Sequence, residues 1–328
     1  MDSRIHGVLG ALMEASHLER LLDRPTHKGP PTYPLPSPRT LADAIRQGEE
    51  SAEHERQRLG LRDTPLPELA DLCGAHGVPV FALKLPHDLS GLFIAHASVG
   101  RAIVVNLTHD AVDQRLAIAH SYAHAVCEPM GTIRVCTKAN STELIERRAA
   151  AFATALLLPA AGVAETVHRL GKGQASRQEY WAFDAATEQS VRAEERSTPG
   201  SQTMTYLDGM WIARRFGTTY KLAIARLLGL GLINESDQRR LLRPTAVALA
   251  QECLVVLSPE AARPSSSLPS STVVTLSDLR AEQFYMVVEA YRRGLMTKAD
   301  LAMEAVSLSL ALPGLSDSRL VELAEAAR

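Results

Sequence analysis

With 328 residues, 46% of them apolar and 22% charged, and a formal net charge of −2, the chain has the composition of a globular protein with room for two domains or for one core with helical additions. No run approaches the roughly 18 apolar residues of a membrane span, and the near-neutral charge gives no global drive toward nucleic acid. The four cysteines, Cys73, Cys127, Cys136 and Cys253, form no C-x-x-C pair, which argues against a disulfide scaffold or a thiolate zinc knuckle and leaves them expected as buried thiols.

The first residues, MDSRIHGVLGALMEASHLERLL, read as a helix, and acidic and polar residues interrupt its apolar stretch, so it lacks the order of a signal peptide and a cytoplasmic protein is expected. The prolines from Pro25 to Pro38 forbid regular helix and predict a stiff connector, which makes residues 1–38 an appendage. Helical patterning resumes at Leu41, and a second short helix is predicted from Pro67 to His76, closed by Gly77. Three β-rich runs follow, VPVFALKL, SGLFIAH and RAIVVNL, and predict a small sheet of antiparallel type. Helices are then expected over Gln114–Glu128 and Glu143–Leu158, the second stopped by Pro159. A polar loop at Gly171–Arg177 leads into a segment with Tyr180 and Trp181 that is read as helical, and then into a break at ERSTPGSQT.

From Met204 a second unit is predicted, with helices at Leu207–Phe216 and Tyr220–Leu228 about a turn at Gly217–Thr219, the spacing of a helix-turn-helix. A Ser/Pro-rich stretch, ARPSSSLPSST, separates it from a last helical block beginning at Leu279. The expected organisation is therefore an N-terminal helix and connector (1–38), an α+β domain (39–195), a helix-turn-helix-like region (204–262) and a C-terminal helical region (274–328).

The chemistry centres on RLAIAHSYAHAV. His120 and His124 stand four residues apart, so on a helix their imidazoles leave one face a turn apart and can reach a single metal ion. A zinc site needs at least one more protein ligand, and Glu146 and Glu143 share a face of the following helix. Glu128, one turn beyond His124, suits a further ligand or a carboxylate that orients an imidazole.

The wider stretch resembles the ImmA/IrrE family of zinc metallopeptidase-like proteins. Arg115-Leu-Ala-Ile-Ala-His120-Ser-Tyr-Ala-His124 is similar to that family's R-x-x-[AIL]-A-H-E-x-[AG]-H helix. Glu146-Arg-Arg-Ala149-Ala-Ala-Phe152-Ala153-Thr-Ala-Leu156-Leu157-Leu-Pro159 is similar to its E-x-x-A-N-x-F-A-x-x-L-L-x-P helix. The likeness covers roughly residues 55–180; the later helices bear a weaker likeness to longer members associated with Xre-type regulators. It implies an α+β fold with the small sheet packed on zincin-like helices and a mainly helical C-terminal region. It implies Zn²⁺ as cofactor and His120, His124 and Glu146 as metal ligands, choosing Glu146 over Glu143.

Two departures stand out. The usual Ala-Asn of the second helix is Ala149-Ala150, and the glutamate that follows the first histidine is Ser121. In a zinc peptidase that glutamate takes a proton from metal-bound water and passes it to the leaving amine, and a serine hydroxyl does not ionise near neutral pH. Removing a positioned acid/base costs about 10²–10⁴ in rate, so a pseudopeptidase is expected. It would act by binding a protein partner, which the resemblance implies to be a transcriptional repressor or a phage- or mobile-element-associated regulator. Two other readings are an active zinc endopeptidase using Glu128 or a water network as base, and a DNA-binding regulator reading through residues 204–243.

For the DNA reading the basic set is Arg214, Arg215, Lys221 and Arg226, though the same unit carries a core-like apolar pattern. Arg292-Arg293-Gly294 reads as a helix end with favourable charge and a glycine stop, and His87, His96 and His109 as surface residues rather than ligands. Tyr122 is expected to pack. No nucleotide-binding glycine motif occurs.

Overall fold

The computed structural model describes residues 3–24, 29–33, 35–97, 100–128, 131–137, 139–174, 177–184, 189–196, 198, 200–257, 276–309 and 316–326. In chain order the elements are α1 (Ser3–Leu21), α2 (Leu41–Arg58), α3 (Leu69–Ala75), β1 (Val80–Leu83), β2 (Leu89–His96), β3 (Gly100–Asn106), α4 (Ala111–Cys127), β4 (Ile133–Thr137), α5 (Leu144–Leu157) and α6 (Ala160–Arg169). They continue with β5 (Arg177–Asp184), β6 (Gln189–Arg196), α7 (Tyr206–Phe216), α8 (Tyr220–Gly229), α9 (Glu235–Leu241), α10 (Pro244–Leu257), α11 (Leu276–Arg292), α12 (Lys298–Ser309) and α13 (Asp317–Ala326). The chain forms two compact units: Met1–Ser51, Pro67–Ala153 and Arg263–Arg328 make the first, and Ala52–Leu66 and Thr154–Ala262 the second. The Ser/Pro-rich stretch 262–272 lies outside the described residues.

In the first unit four strands run in the order β1-β3-β2-β4. The α+β expectation holds, with a finer point: β2 pairs antiparallel with β3 and β4, whereas β1 pairs parallel with β3, Val80 opposite Ile103. The sheet is covered on both faces, which is why β2 and β3 read as nearly unbroken apolar runs rather than alternating ones. Leu92 and Ile94 of β2, with Ala102 and Val104 of β3, enter a core with α1, α11, α12 and α13. The intervening Phe93 turns toward α4, its ring stacked 6.1 Å from that of His124. The fully buried Asn106 ties the β1–β2 connection down. Its amide nitrogen donates to the carbonyls of Pro86 and Leu89, and its oxygen accepts from the Leu85 amide.

The N-terminal helix is not the appendage that its proline-rich sequel suggested. Ala11, Leu12, Ala15, Leu18 and Leu22 are buried in this core, Arg280 of α11 pairs with Glu14, and Gln283 donates to the Ala11 carbonyl. The connector is anchored too: Arg101 donates to the Pro30 carbonyl and to Thr32 Oγ1, and the Tyr33 amide to the Val126 carbonyl. These contacts join residues far apart in sequence, so local periodicity carries no trace of them.

Helices α4 and α5 lie side by side, with Tyr122 buried and its ring 6.4 Å from Phe152, the packing role expected of it. Helix α2 crosses α5 so closely that a Cβ at Gly48 would collide with the Arg148 carbonyl oxygen and lie 2.8 Å from the Phe152 amide nitrogen. Helix boundaries follow their caps: Asp110 accepts from the Asp113 amide at the start of α4, and Thr40 and Asp43 cap α2 reciprocally.

The second unit is built on a core of Leu158, Val163, Val167, Met210, Phe216, Ile224 and Leu227, among others. A Thr205–Asp208 capping box opens α7, Gly217 at φ 61° closes it, and Thr219 opens α8. The segment around Tyr180 and Trp181, expected as helix, is instead the antiparallel hairpin β5–β6, with Trp181 opposite Arg192. Adjacent aromatics suit a strand better than a helix, where they lose rotamer freedom against the preceding turn. No single described helix is long and apolar enough to cross a membrane.

Candidate metal centre

The architecture gathers four side chains from three elements. His120 and His124 leave the same face of α4, Glu146 sits in the first turn of α5, and Cys136 faces them from β4. Their nearest nitrogen, oxygen and sulfur atoms all lie within 4.8 Å of one another. Glu146 Oε2 is 2.9 Å from His120 Nε2, and Glu146 Oε1 is 3.6 Å from His124 Nε2. The sequence-expected trio is thus brought together, while Glu143, the rival carboxylate, is exposed.

These positions suit a metal by their chemistry. His124 Nε2 and Glu146 Oε1 are buried and make no hydrogen bond, since 3.6 Å is beyond hydrogen-bond reach. Buried polar atoms left in that condition are rare, and a cation between them would satisfy both. Metal–ligand distances of about 2.0–2.3 Å in a tetrahedral zinc site put neighbouring ligand atoms about 3.3–3.7 Å apart. The 3.6 Å His124–Glu146 pair already has that spacing, while the 2.9 Å His120–Glu146 pair would open and the widest pairs, up to 4.8 Å, would close around an ion.

A chain of charge and hydrogen bonding holds His124 from behind. Glu128 Oε1 lies 3.7 Å from His124 Nδ1, leaving Nε2 to face the cluster. Arg148 Nη2 donates to Glu128 Oε1 at 2.6 Å, and its Nη1 donates to Gln47 Oε1 at 3.1 Å. Glu128, Arg148 and Gln47 are all buried, and they lie outside the group of four. Glu128 is therefore placed to orient an imidazole, one of the two roles its spacing suggested.

The electrostatics follow from this crowding. Burial pushes the His124 imidazole down, but the close approach of Cys136, Glu128 and Glu146 outweighs burial and raises its pKa to about 10. His120 shifts upward for the same kind of reason, burial being outweighed by Cys136 and Glu146. Burial pushes the Cys136 thiol up while the two imidazoles draw it down to about 7. Glu146 is likewise driven up by burial and down, to about 2, by the same imidazoles. Divalent metal would replace protons in this cluster, since it needs neutral imidazoles and ionised thiolate and carboxylate.

Ser121 is fully buried, and its Oγ makes no hydrogen bond. It lies against β2, where a Cβ at Gly91 would be 3.4 Å from that oxygen.

Comparison with known proteins agrees with the motifs. Residues 73–228 match the family model of the IrrE N-terminal-like domain, Peptidase M78. The matched span begins in α3 and includes the sheet, α4, β4 and α5. It also runs through α7 and α8, further than the roughly 55–180 over which the motifs carried the resemblance. No curated protein matches the chain.

Sequence reasoning missed Cys136. It took Cys136 only as a buried thiol, whereas the alternation Ile133-Arg134-Val135-Cys136 marks a strand directing Arg134 and Cys136 to the side of Gly91 and Phe93. The other sequence candidates separate cleanly. His87 and His96 are exposed, and His109 Nε2 lies 3.0 Å from the His87 carbonyl oxygen, away from the cluster. Of the basic set, Arg226 is buried and donates to the Leu158 carbonyl, correcting its reading as a phosphate contact. Arg214 lies over the Trp211 ring and donates to the Leu257 carbonyl, and Lys221 is exposed. Arg292 and Arg293 both pair with Glu289 at the end of α11, where Gly294 takes a positive φ.

Proposed function

We propose that this chain is a regulatory protein on an IrrE-like peptidase fold, in which His120, His124 and Glu146 hold Zn²⁺ and the general base is missing, so that it acts by binding a protein partner rather than by cleaving one. The observation that carries this reading is Ser121: in the position of the family's glutamate stands a buried hydroxyl with no ionisation to offer. When bound, zinc would supply Lewis acidity and cross-link α4 to α5.

Glu128 does not favour the active-peptidase alternative. It sits on the Nδ1 side of His124 and is engaged by Arg148, so it is turned away from the space a metal-bound water would occupy. The DNA-reading alternative loses support from the buried Arg226.

Strand β4 is an edge of the four-stranded sheet, and Ile133 and Val135 are about half exposed along it. An extended segment of a partner can add to such an edge through main-chain hydrogen bonds, a mode of recognition that survives loss of the base. The resemblance suggests a transcriptional repressor as that partner.

Zinc-loaded protein incubated with a fluorescence-quenched peptide library tests the reading. No cleavage above background is expected from the parent chain. Cleavage that disappears in His120→Ala would replace the proposal with the active endopeptidase.

A further inference from the structure

Zinc peptidases hold their metal with three protein ligands and keep the fourth position for water, whereas structural zinc sites are closed by a fourth protein ligand. In this chain a fourth side chain with a ligand atom stands beside the other three. Cys136 Sγ belongs to the cluster whose ligand atoms lie within 4.8 Å of one another, and the residue is only 7% exposed. Its placement follows from the register of β2 and β4, in which Cys136 stands opposite Gly91. Gly91 has no side chain to stand between the sulfur and α4, and a Cβ there would already be 3.0 Å from the Val104 carbonyl oxygen.

We infer that Cys136 is a metal ligand, and that its thiolate completes a closed His120–His124–Cys136–Glu146 site with no position left for water. The inference rests on the reading that the two histidines and Glu146 bind zinc. Two observations besides the sulfur's proximity carry it. His124 Nε2 and Glu146 Oε1 are buried without a hydrogen bond, and both residues offer a ligand atom within 4.8 Å of the thiol. Charge balance also favours it: one divalent cation, one carboxylate, one thiolate and two neutral imidazoles sum to zero, whereas a three-ligand site with water would leave a buried positive charge. The metal then serves as a clamp joining α4, β4 and α5. Hydrolysis is lost twice over, because Ser121 cannot activate a water and Cys136 leaves none to activate. The clamp also fixes the position of β4, the edge at which a partner segment would pair.

The test is the absorption spectrum of the full chain loaded with Co²⁺ in place of zinc. The parent is expected to show the near-ultraviolet thiolate-to-cobalt charge-transfer band and the intense visible bands of four-coordinate cobalt. Both should be unchanged by added azide. In Cys136→Ala, cobalt should still bind through the remaining ligands, the thiolate band should vanish, and azide should now shift the visible spectrum because a coordination position has opened. Cys136→Ser provides a second variant of nearly the same size should the alanine chain fold poorly.

Cobalt bound without a thiolate band, together with an azide response in the parent, overturns the closed site while leaving the three-ligand reading standing. Absence of cobalt binding by the parent overturns both.

Discussion

Replacing Arg148 by methionine removes the charge that supports the His120–His124–Cys136–Glu146 cluster from behind while keeping most of the side-chain volume. Arg148 and Glu128 are 3% and 6% exposed, and their 2.6 Å contact is the closest ion pair either makes. Arg134 comes no nearer to Glu128 than 4.0 Å and His124 Nδ1 lies 3.7 Å away, so the substitution removes the one short ion pair of a buried carboxylate and also leaves Gln47 Oε1 without its donor. Breaking a buried pair from one side costs about 3–5 kcal/mol, most of it from the uncompensated charge. Chemical denaturation of zinc-free parent and variant measures this, and Arg148→Met is expected to lose about 3–5 kcal/mol of stability. The double variant Arg148→Met with Glu128→Gln should recover part of that loss, since the stranded charge is gone. Zinc affinity should also fall by about 10–100-fold, because His124 loses the carboxylate geometry that aims Nε2. A loss below about 1 kcal/mol, in the range of exposed ion pairs, with zinc affinity unchanged, would refute the view that Arg148 supports the site through Glu128.

Other outcomes follow from the same residues. Without zinc, the contribution of Glu146, whose pKa falls from 4.5 to about 2, is fully present above pH 4.5 and lost as pH drops toward 2. That of His124, raised from 6.5 to about 10, is fully present below pH 6.5 and lost as pH rises toward 10. Stability from this cluster should therefore peak between these limits, while zinc-loaded protein should hold its stability on the alkaline side; denaturation midpoints across pH, with and without metal, check both limbs. Ser121→Ala removes a buried hydroxyl that has no partner and is expected to leave stability unchanged or raise it by about 1 kcal/mol, where a loss above that in denaturant titration would show a hidden bond. Gly48→Ala brings a methyl against the backbone of α5 and should cost about 1–3 kcal/mol in the same assay. Arg226→Ala should cost about 1–3 kcal/mol by leaving the Leu158 carbonyl unsatisfied, with no change in the salt dependence of any duplex-DNA binding.

How far the sequence reached depended on the range of the interactions involved. The spacing of His120 and His124 and the turn at Gly217–Thr219 between α7 and α8 are written within a few residues of where they act, and both were legible; helical phase left Glu143 and Glu146 level, and the resemblance chose Glu146. Cys136 was not legible, because a five-residue strand with one buried position gives a weak signal between two strong helices. Its meaning depends on the β2–β4 register and on the absence of a side chain at Gly91. The parallel β1–β3 pairing and the burial of α1 against α11 were hidden for a related reason: both join segments separated by other elements, and no local pattern records the partner. The β5–β6 hairpin was misread because Tyr180 and Trp181 lie in a polar segment where neither helical nor strand periodicity is strong. Glu128 carried a correct spacing signal, and only the arrival of Arg148 from α5 separated its orienting role from a catalytic one.

The central claim is that this fold holds a metal through residues from both helices although the base is absent. The most direct measurement is the metal content of protein purified without added zinc, beside His120→Ala and Glu146→Ala chains handled identically. The parent is expected to carry about one zinc per chain and both variants close to none. A parent chain that takes up no zinc even when it is supplied would contradict the claim and make His120, His124 and Glu146 a purely structural cluster of hydrogen bonds and charge.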